Sequence, residues 1–356
     1  EASITAVGDD DQSIYGWRGA KVGHLEDFKT KHKQNATIRL EQNYRSTSII
    51  LNAANALIEN NQARLGKNLW TESNEGEQIT LYQAFNEQDE ARFVAEIIKS
   101  WMDGGELFSD SAVIYRSNAQ SRAIEEALLR ANIPYRIYGG LRFYDRLEIK
   151  NAISYLRIIF NPHDNPAFER SVANPTRGVG AKTLAKIRSL ANKHNISYIQ
   201  ASSKMIDENL ISGRGANGLK KFLEIILGLC GKIDDISLSE IVGSILEQSG
   251  LIQFHEKEPG EKGKTRKENL EELLSAAKNF EMSFSDDKTN REITEQFLSN
   301  VSLDAGDRQA DEFDDAVQLM TLHSAKGLEF PLVFMTGLEE TLFPHGRSME
   351  SPDQLE

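Results

Sequence analysis

The segment with the clearest chemical potential is residues 7–20 (VGDDDQSIYGWRGA), which follows a short run of β-forming residues. Loops at the carboxyl ends of strands are where α/β sheets place their ligand sites. The segment combines an amide at Gln12 with the aromatic residues Tyr15 and Trp17 and with Arg18. Exposed rings beside an arginine suit stacking on single-stranded bases, because every base has a π-face. The alternative is an ordinary loop with a core tryptophan and a surface ion pair.

A second segment, residues 40–46 (LEQNYRS), leads into a predicted helix over 47–60. Arg45 at the start of this helix opposes the preference of helix N-termini for negative charge, which indicates that an anion binds there. A terminal phosphate could be this anion, and the ring of Tyr44 beside it could stack on a nucleobase. The alternative is a salt bridge between Arg45 and Glu41.

A third segment, residues 321–330 (TLHSAKGLEF), lies between two predicted buried strands over 316–321 and 331–336. A loop that holds His, Ser, Lys, Gly and Glu is too polar to serve packing alone. A single histidine is more often structural than catalytic, so His323 taken by itself favours a structural interpretation. No second His or Cys stands near it at metal-ligand spacing, so the sequence indicates no metal site.

The elements that must position these segments follow from the spacing of apolar residues. Strand-like runs occur at 3–8, 37–40, 78–85, 111–116 and 134–138. Helical spacing follows the later runs and is carried by Val94, Ile97, Ile98, Trp101, Ile124, Leu128 and Leu129. Alternation of strands and helices predicts a parallel α/β sheet.

The pattern changes after residue 140. From about residue 146 to residue 300 the spacing is helical almost throughout, with glycine clusters at 178–180, 213–218 and 259–263. An acidic stretch over 304–315 then leads back to the last two predicted strands. We therefore predict an α/β domain interrupted by a helical insertion, with Gly139-Gly140 as a candidate hinge.

Composition predicts a soluble, cytoplasmic protein of two domains. The 356 residues are 39% apolar and 27% charged, as is usual for globular proteins. A net charge of −13 argues against a protein that coats nucleic acid through bulk positive charge, but it leaves a local basic groove open. We find no signal peptide and no apolar run near the ~20 residues of a membrane helix. The single cysteine, Cys230, predicts a reduced thiol in an apolar stretch.

Together the three segments resemble the third, fourth and fifth motifs of the UvrD, PcrA and Rep group of superfamily 1 DNA helicases, with the UvrD branch as the best match. Intervening segments resemble this family in the same order, namely YRSNAQSR (115–122), PYRIYGG (134–140), PTRGVG (175–180) and GEKGKTRKENLEEL (260–273). The resemblance covers essentially the whole chain.

The resemblance implies a set of nucleotide contacts. Gln12 would sense the γ-phosphate of ATP and couple it to DNA, Tyr44 would stack on adenine, and Arg45 would act as an arginine finger. Glu329 would hydrogen-bond the ribose, and Gly327 would let the backbone approach closely.

The resemblance also implies contacts with DNA. Those with the single strand would come from Tyr15, Trp17, Arg18, Asn118 and His323. Those with the duplex would come from Thr176, Arg177, Gly178, Gly180 and Lys182. Two glycines before a helix present backbone N–H groups to a phosphate without obstruction, although the segment taken alone would be read as a turn between helices. The basic run 262–267 is usually a solvated face, so a second DNA contact there is the weaker interpretation.

The implied fold is a RecA-like parallel-sheet domain interrupted by a mainly helical inserted domain. Residues 1–40 would be the C-terminal remnant of a first RecA-like domain. Residues 41–140 and 314–356 would form a second, truncated one, and residues 141–313 would form a helical accessory domain that grips duplex DNA.

The chain also departs from the family pattern. No segment fits the phosphate loop G-x-x-x-x-G-K-[ST]: the run GKT at 263–265 has Glu258 where a glycine is required, and Ala181 interrupts the match at 178–183. The acidic pair for magnesium and the sixth motif are missing too. We therefore expect ATP and Mg²⁺ to be cofactors of an intact parent, with neither bound tightly by this chain. We also expect this chain neither to hydrolyse ATP nor to unwind DNA.

The expected partners are single-stranded and duplex DNA at their junction, with DNA-repair proteins as further candidates and no membrane. Translocation from 3′ to 5′ is implied by the family only. Two alternatives remain open at this point: a helicase-like subunit of a RecB or AddA type of recombination complex, and a non-catalytic DNA-binding module.

Overall fold

The computed structural model describes residues 4–14, 23–32, 36–61, 66–138, 140–284, 288–306 and 314–344. Tyr15, Trp17 and Arg18, predicted to contact single-stranded bases, lie outside the described residues, as does Gly139 of the candidate hinge. The chain divides into two compact units. The first contains Glu1–Glu90, Leu322–Pro331 and Gly337–Glu356, and the second contains Ala91–Thr321 and Leu332–Thr336.

The described helices and strands are as follows. The helices are α1 (His24–Lys31), α2 (Ser48–Ile58), α3 (Glu87–Asp103), α4 (Ser121–Arg130), α5 (Leu147–Phe160), α6 (Asn165–Ala173), α7 (Ala181–His194), α8 (Tyr198–Asp207), α9 (Gly213–Cys230), α10 (Leu238–Gln248), α11 (Leu251–Glu256), α12 (Glu261–Met282), α13 (Asn290–Gly306) and α14 (Leu322–Ala325). The strands are β1 (Ser111–Tyr115), β2 (Tyr135–Ile137), β3 (Val317–Thr321) and β4 (Leu332–Met335).

In the first unit the predicted helix over 47–60 is confirmed as α2, which buries Leu51. The strands predicted over 3–8, 37–40 and 78–85 are wrong, because the described residues of these segments pair with no strand. The side chain of Phe85, for example, is 96% exposed. Strand propensity reflects how well a side chain fits a paired, half-buried surface. Without a neighbouring strand it gives extended backbone and no sheet.

The second unit contains a four-stranded parallel sheet in the order β2-β3-β1-β4. In the centre, Val113 lies opposite Leu319 on one side and Phe334 on the other. The strands predicted over 111–116, 134–138, 316–321 and 331–336 are therefore confirmed. Buried parallel strands are apolar on both faces, and β1 and β3 are buried along almost their whole length.

Two amphipathic helices, α3 and α4, pack on this sheet. Each turns an apolar stripe toward it, through Val94 and Ile98 in α3 and through Ile124 and Leu128 in α4. These residues recur at helical spacing, which is why the sequence predicted both helices. Full burial of one such side chain stabilises the fold by about 1.5–3 kcal/mol.

The helical insertion extends from α5 to α13 and has a separate core. α5 lies at its centre and is buried over most of its length. Edge-to-face rings of Tyr155, Phe168 and Phe222 join α5, α6 and α9, with centroid separations of 5.4–5.9 Å. Among the helices described here, none is both long enough and apolar enough to cross a membrane.

Glycines allow α9 to approach the loop before α7 closely. A Cβ on Gly218 would lie 1.9 Å from the carbonyl oxygen of Arg177, and one on Gly215 would lie 3.1 Å from that of Gly178. The close approach of this helix to the backbone of the loop therefore depends on the absence of side chains at these two positions.

We expect Gly218→Ala to lower the free energy of unfolding by about 1–3 kcal/mol, because the added methyl group must displace the loop backbone. Gly228→Ala is the matched control, since it lies in the same helix with no atom within 4 Å of the added Cβ. The control should be neutral or stabilising by up to about 1 kcal/mol. Urea unfolding of both variants measures the difference, and equal effects would contradict the packing argument.

Candidate nucleotide and nucleic-acid sites

In the first unit, Arg45 lies in the turn before α2. The side-chain oxygen of Asn43 accepts hydrogen bonds from the backbone N–H groups of Arg45 and Ser46, both at 2.9 Å. This turn fixes the backbone and leaves the guanidinium 53% exposed. Its Nε donates to Glu329 Oε2 at 2.7 Å, which joins residues 284 positions apart in the sequence. The structure thus shows Arg45 paired with Glu329 and not with Glu41.

Tyr44 and Gly327, two further predicted nucleotide contacts, belong to the same compact unit. The ring of Tyr44 is 81% exposed, and its hydroxyl donates to Gln42 Oε1 at 2.8 Å. Gly327 has a φ of +89°, and a Cβ at this position would meet no atom within 4 Å. An exposed ring, a guanidinium, a carboxylate and an unobstructed backbone are the kinds of groups that contact the base, the phosphate and the ribose of a nucleotide.

Gln12 is held next to the third predicted segment. Its side-chain amide donates to Asp9 Oδ2 at 2.6 Å, and its backbone carbonyl oxygen accepts a hydrogen bond from Lys326 Nζ at 2.6 Å. The hydrogen bond from Lys326 holds the backbone at Gln12, and Lys326 is the residue immediately before Gly327. His323 lies in the one-turn helix α14 and is partly buried.

Three adjacent carboxylates, those of Asp9, Asp10 and Asp11, have oxygens within 4.8 Å of one another. The ammonium of Lys67 forms an ion pair with Asp9 and lies 3.5 Å from Asp11 Oδ2. A lysine between two carboxylates offsets their charge, so this cluster does not by itself indicate a cation site.

In the second unit, Asn118 lies in a 3₁₀ turn, Asn118–Gln120, at the carboxyl end of the central strand β1. The side-chain oxygen of Gln120 accepts hydrogen bonds from the backbone N–H groups of Arg116 (3.1 Å) and Ser117 (2.8 Å). This is the sheet edge at which parallel α/β folds bind ligands.

The glycine loop before α7 exposes its backbone. Thr176, Gly178 and Gly180 are exposed, whereas Val179 between the glycines is buried and anchors the loop. Gly178 has a φ of +79°, which favours glycine. Gly180 is the N-cap of α7 and provides no side-chain cap, so the first N–H groups of the helix are not used by a capping side chain.

Arg177 makes several contacts within the protein. Its guanidinium donates to the carbonyl oxygens of Ser171 (3.3 Å), Pro175 (3.0 Å) and Ser249 (2.6 Å). It also lies 5.7 Å from the ring centre of Tyr155 and 5.6 Å from that of Phe222. Aromatic faces and carbonyl oxygens hold the guanidinium in place. The side chain therefore fixes the loop, and the phosphate contact predicted for it stays a prediction.

The sequence reasoning missed the cations on the neighbouring helix. Arg214 and Lys221 are exposed and line a cleft beside Gly218, and a Cβ on Gly178 would lie 3.1 Å from Arg214 Cγ. Neither these two side chains nor Lys182 pairs with a carboxylate in the part of the chain that the structure describes. The glycine spacing of GRGANG over 213–218 could have pointed to this helix, because glycines allow a second backbone to approach closely.

Comparison with known proteins supports a helicase relationship. A family model described as the UvrD-like helicase C-terminal domain matches residues 38–356, and one described as the UvrD/REP helicase N-terminal domain matches residues 1–33. DNA helicase II of Escherichia coli is 52% identical over 353 residues, which cover 99% of this chain and 49% of that protein. ATP-dependent DNA helicase PcrA of Bacillus subtilis is 44% identical over 361 residues, covering 99% of this chain and 48% of that protein. The chain spans about half the length of the curated relatives it matches.

We expect Arg177→Ala to lower the free energy of unfolding by about 2–4 kcal/mol, because it removes a charged donor from several buried carbonyl groups. Arg214→Ala, on the facing helix, should change it by no more than about 0.5 kcal/mol, as is usual for an exposed side chain. Thermal and urea unfolding measure both. A small effect at Arg177 would show that its guanidinium does not hold the loop.

Proposed function

Because the chain belongs to the UvrD-like helicase family, we propose that it supplies one side of the nucleotide site and the duplex-binding insert of an ATP-dependent DNA helicase. The observation that carries this proposal is the grouping of Tyr44, Arg45, Gly327 and Glu329 in one compact unit, with Arg45 and Glu329 in direct contact. The names of the matched relatives, DNA helicase II and ATP-dependent DNA helicase PcrA, support the same activity.

The whole protein, in this proposal, moves 3′ to 5′ along single-stranded DNA and unwinds duplex at the junction during DNA repair or replication. Repair proteins are its proposed partners. The polarity is carried over from the family resemblance. The matched relatives do not favour a RecB or AddA type of subunit, and the geometry of Arg45 and Glu329 favours a nucleotide-using protein over a purely DNA-binding module.

In the nucleotide site, Tyr44 stacks on the base, Glu329 accepts a hydrogen bond from the ribose, and Arg45 faces the γ-phosphate. Bound ATP would compete with Glu329 for the guanidinium, since phosphate is a stronger partner for arginine than one exposed carboxylate. Gln12, anchored beside Gly327 through Lys326, senses the same phosphate. Mg²⁺ and the inner phosphates would be held by a phosphate loop and an acidic pair, and residues 1–356 contain neither motif.

Three DNA contacts belong to the proposal. Asn118, at the carboxyl end of β1, contacts the backbone of single-stranded DNA. His323, in α14 of the first unit, is a separate contact with single-stranded DNA in this proposal. The loop from Thr176 to Gly180 binds a duplex phosphate through its backbone N–H groups, and Lys182 adds charge. We add Arg214 and Lys221, because both line the adjoining cleft and neither pairs with a carboxylate among the residues that the structure describes.

We predict that this chain alone shows no DNA-stimulated ATP hydrolysis above background, because the groups that hold Mg²⁺ and the inner phosphates are missing. Phosphate release with and without single-stranded DNA measures this, with an intact relative such as DNA helicase II assayed in parallel. Turnover that survives repeated purification and is lost in Arg45→Ala would overturn the prediction.

The duplex contact is tested by fluorescence anisotropy with blunt duplex, single-stranded DNA and a 3′-tailed duplex at several salt concentrations. We expect Lys182→Ala/Arg214→Ala to weaken duplex binding and to reduce the slope of log K against log[salt] by roughly two units, about one for each lost phosphate contact.

Lys193→Ala is the matched control, because Lys193 is exposed at the opposite end of the same helix as Lys182. Substituting Gly178 would be less informative, since its positive φ and its contact with Arg214 would strain the fold as well. The proposal fails if the control weakens duplex binding as much as the double variant does, or if the unmodified chain binds no DNA at low salt.

A further inference from the structure

A buried arginine joins the helical insertion to the strand-end turn after β1. Arg146, at the start of α5, is only 6% exposed. Its Nη1 donates to the carbonyl oxygen of Asn118 and to Asn269 Oδ1, both at 2.9 Å, and its Nη2 donates to Ser121 Oγ at 2.7 Å. A further bond at 3.3 Å connects Nε with the carbonyl oxygen of Leu141. One side chain therefore bridges the 3₁₀ turn, the start of α4 and helix α12.

Helix α12 reaches the same turn with its own side chains. Glu268 Oε2 accepts a hydrogen bond from Ser117 Oγ at 2.8 Å, and Glu272 Oε1 accepts one from Arg122 Nε at 2.5 Å. Asn269, which accepts from Arg146, lies between these two glutamates. Positions four apart share a helix face, so one face of α12 is directed at the turn and at α4.

The charges at this junction are paired and largely inaccessible to water. Arg122 is 2% exposed and bonds both Glu126 and Glu272. Glu125, the carboxylate nearest Arg146, accepts hydrogen bonds from Ser121 Oγ (2.6 Å) and the backbone N–H of Phe143 (3.1 Å). Burial lowers the pKa of Arg146 and raises that of Glu125, and their proximity offsets both effects. Removing one member of such a buried set leaves the other charges unpaired, which is strongly destabilising. The intact set therefore favours a single arrangement of these side chains.

We propose that Arg146 is a positioning residue for the single-strand contact, and that the helical insertion, through Arg146 and α12, fixes the turn carrying Asn118. The backbone carbonyl of Asn118 is used by Arg146, whereas its side chain is left to contact DNA. This inference rests on the proposed function of Asn118. It assigns to the insertion a role in single-strand binding in addition to duplex binding.

The geometry of the guanidinium explains why an arginine occupies this position. Three acceptors in different directions, on Asn118, Ser121 and Asn269, require a planar fork of donors. A lysine keeps the charge, but it places one small ammonium where the forked group reached several partners. Arg146→Lys therefore tests whether the forked arrangement of donors positions the turn, because it keeps the positive charge.

The experiment compares the full chain with Arg146→Lys and Glu268→Ala. Glu268 is only partly buried, so its removal leaves a folded protein that has lost the bond to Ser117. Arg188→Lys is the matched control, because Arg188 is half exposed and pairs with Glu169 far from the turn in sequence. Circular dichroism establishes that each variant is folded. Hydrogen–deuterium exchange of residues 116–121 and anisotropy with single-stranded and blunt duplex DNA are then measured.

We expect amide exchange in the turn to rise about tenfold in both variants, as the loss of a charge-assisted hydrogen bond implies. Single-strand affinity should fall roughly five- to tenfold, with duplex affinity unchanged. Loss of both affinities together would indicate a merely structural role and overturn the inference. Faster exchange with unchanged single-strand affinity would also overturn it.

The exchange measurement needs no DNA, so the inference and the proposed function can fail separately. Unchanged exchange in the turn overturns the positioning role whether or not the chain binds DNA. Absence of DNA binding by the unmodified chain, with faster exchange in the variants, would overturn the assignment of Asn118 to the single strand.

Discussion

Parallel pairing of β1 with β3 is the constraint on which the second unit depends. β1 precedes the helical insertion and β3 follows it, so their register holds both ends of the insertion at one sheet. The carboxylate of Asp315 reinforces this closure by accepting hydrogen bonds from the N–H groups of Phe108 (3.2 Å) and Ser109 (2.8 Å). Parallel neighbours require a long crossover, and here the crossover contains α4, β2 and the whole insertion. The turn after β1 and the start of α5 are consequently close enough for one arginine to serve both.

In this acidic chain, the paired cations hold the fold, and cations without a carboxylate partner among the described residues lie at the proposed duplex contact. Cations that hold the fold, such as Arg122, Arg146 and Arg177, are occupied by carboxylates or carbonyl oxygens. Cations at the glycine loop, Lys182 and Arg214, have no carboxylate partner in the described parts of the chain. A net charge of −13 therefore leaves room for a local positive surface, and it also limits non-specific attraction to nucleic acid.

The sequence allowed the parallel sheet and the helical insertion to be predicted, because apolar spacing encodes them locally. The nucleotide contacts of Arg45 and Glu329 were implied only by the family resemblance, and the bond between these two residues was not predicted. The sequence did not show that Arg177 bonds to backbone carbonyl groups, since one of its acceptors, on Ser249, is distant in the chain. The junction at Arg146 was missed for the same reason. The strands that were predicted wrongly, such as the one over 78–85, arose because β-propensity reflects how well residues fit a paired strand. It carries no information on whether a neighbouring strand is present.

The exposed alternation over 78–85 also affects how the chain behaves at high concentration. Ile79 and Leu81 are 60% and 88% exposed in a window without proline or charge, a composition that promotes intermolecular β-pairing. Acidic residues at Glu75, Glu77 and over 87–90 flank it on both sides. Such flanking charges act as gatekeepers against aggregation. Because their repulsion weakens as salt screens it, we expect rising ionic strength to promote self-association of this chain.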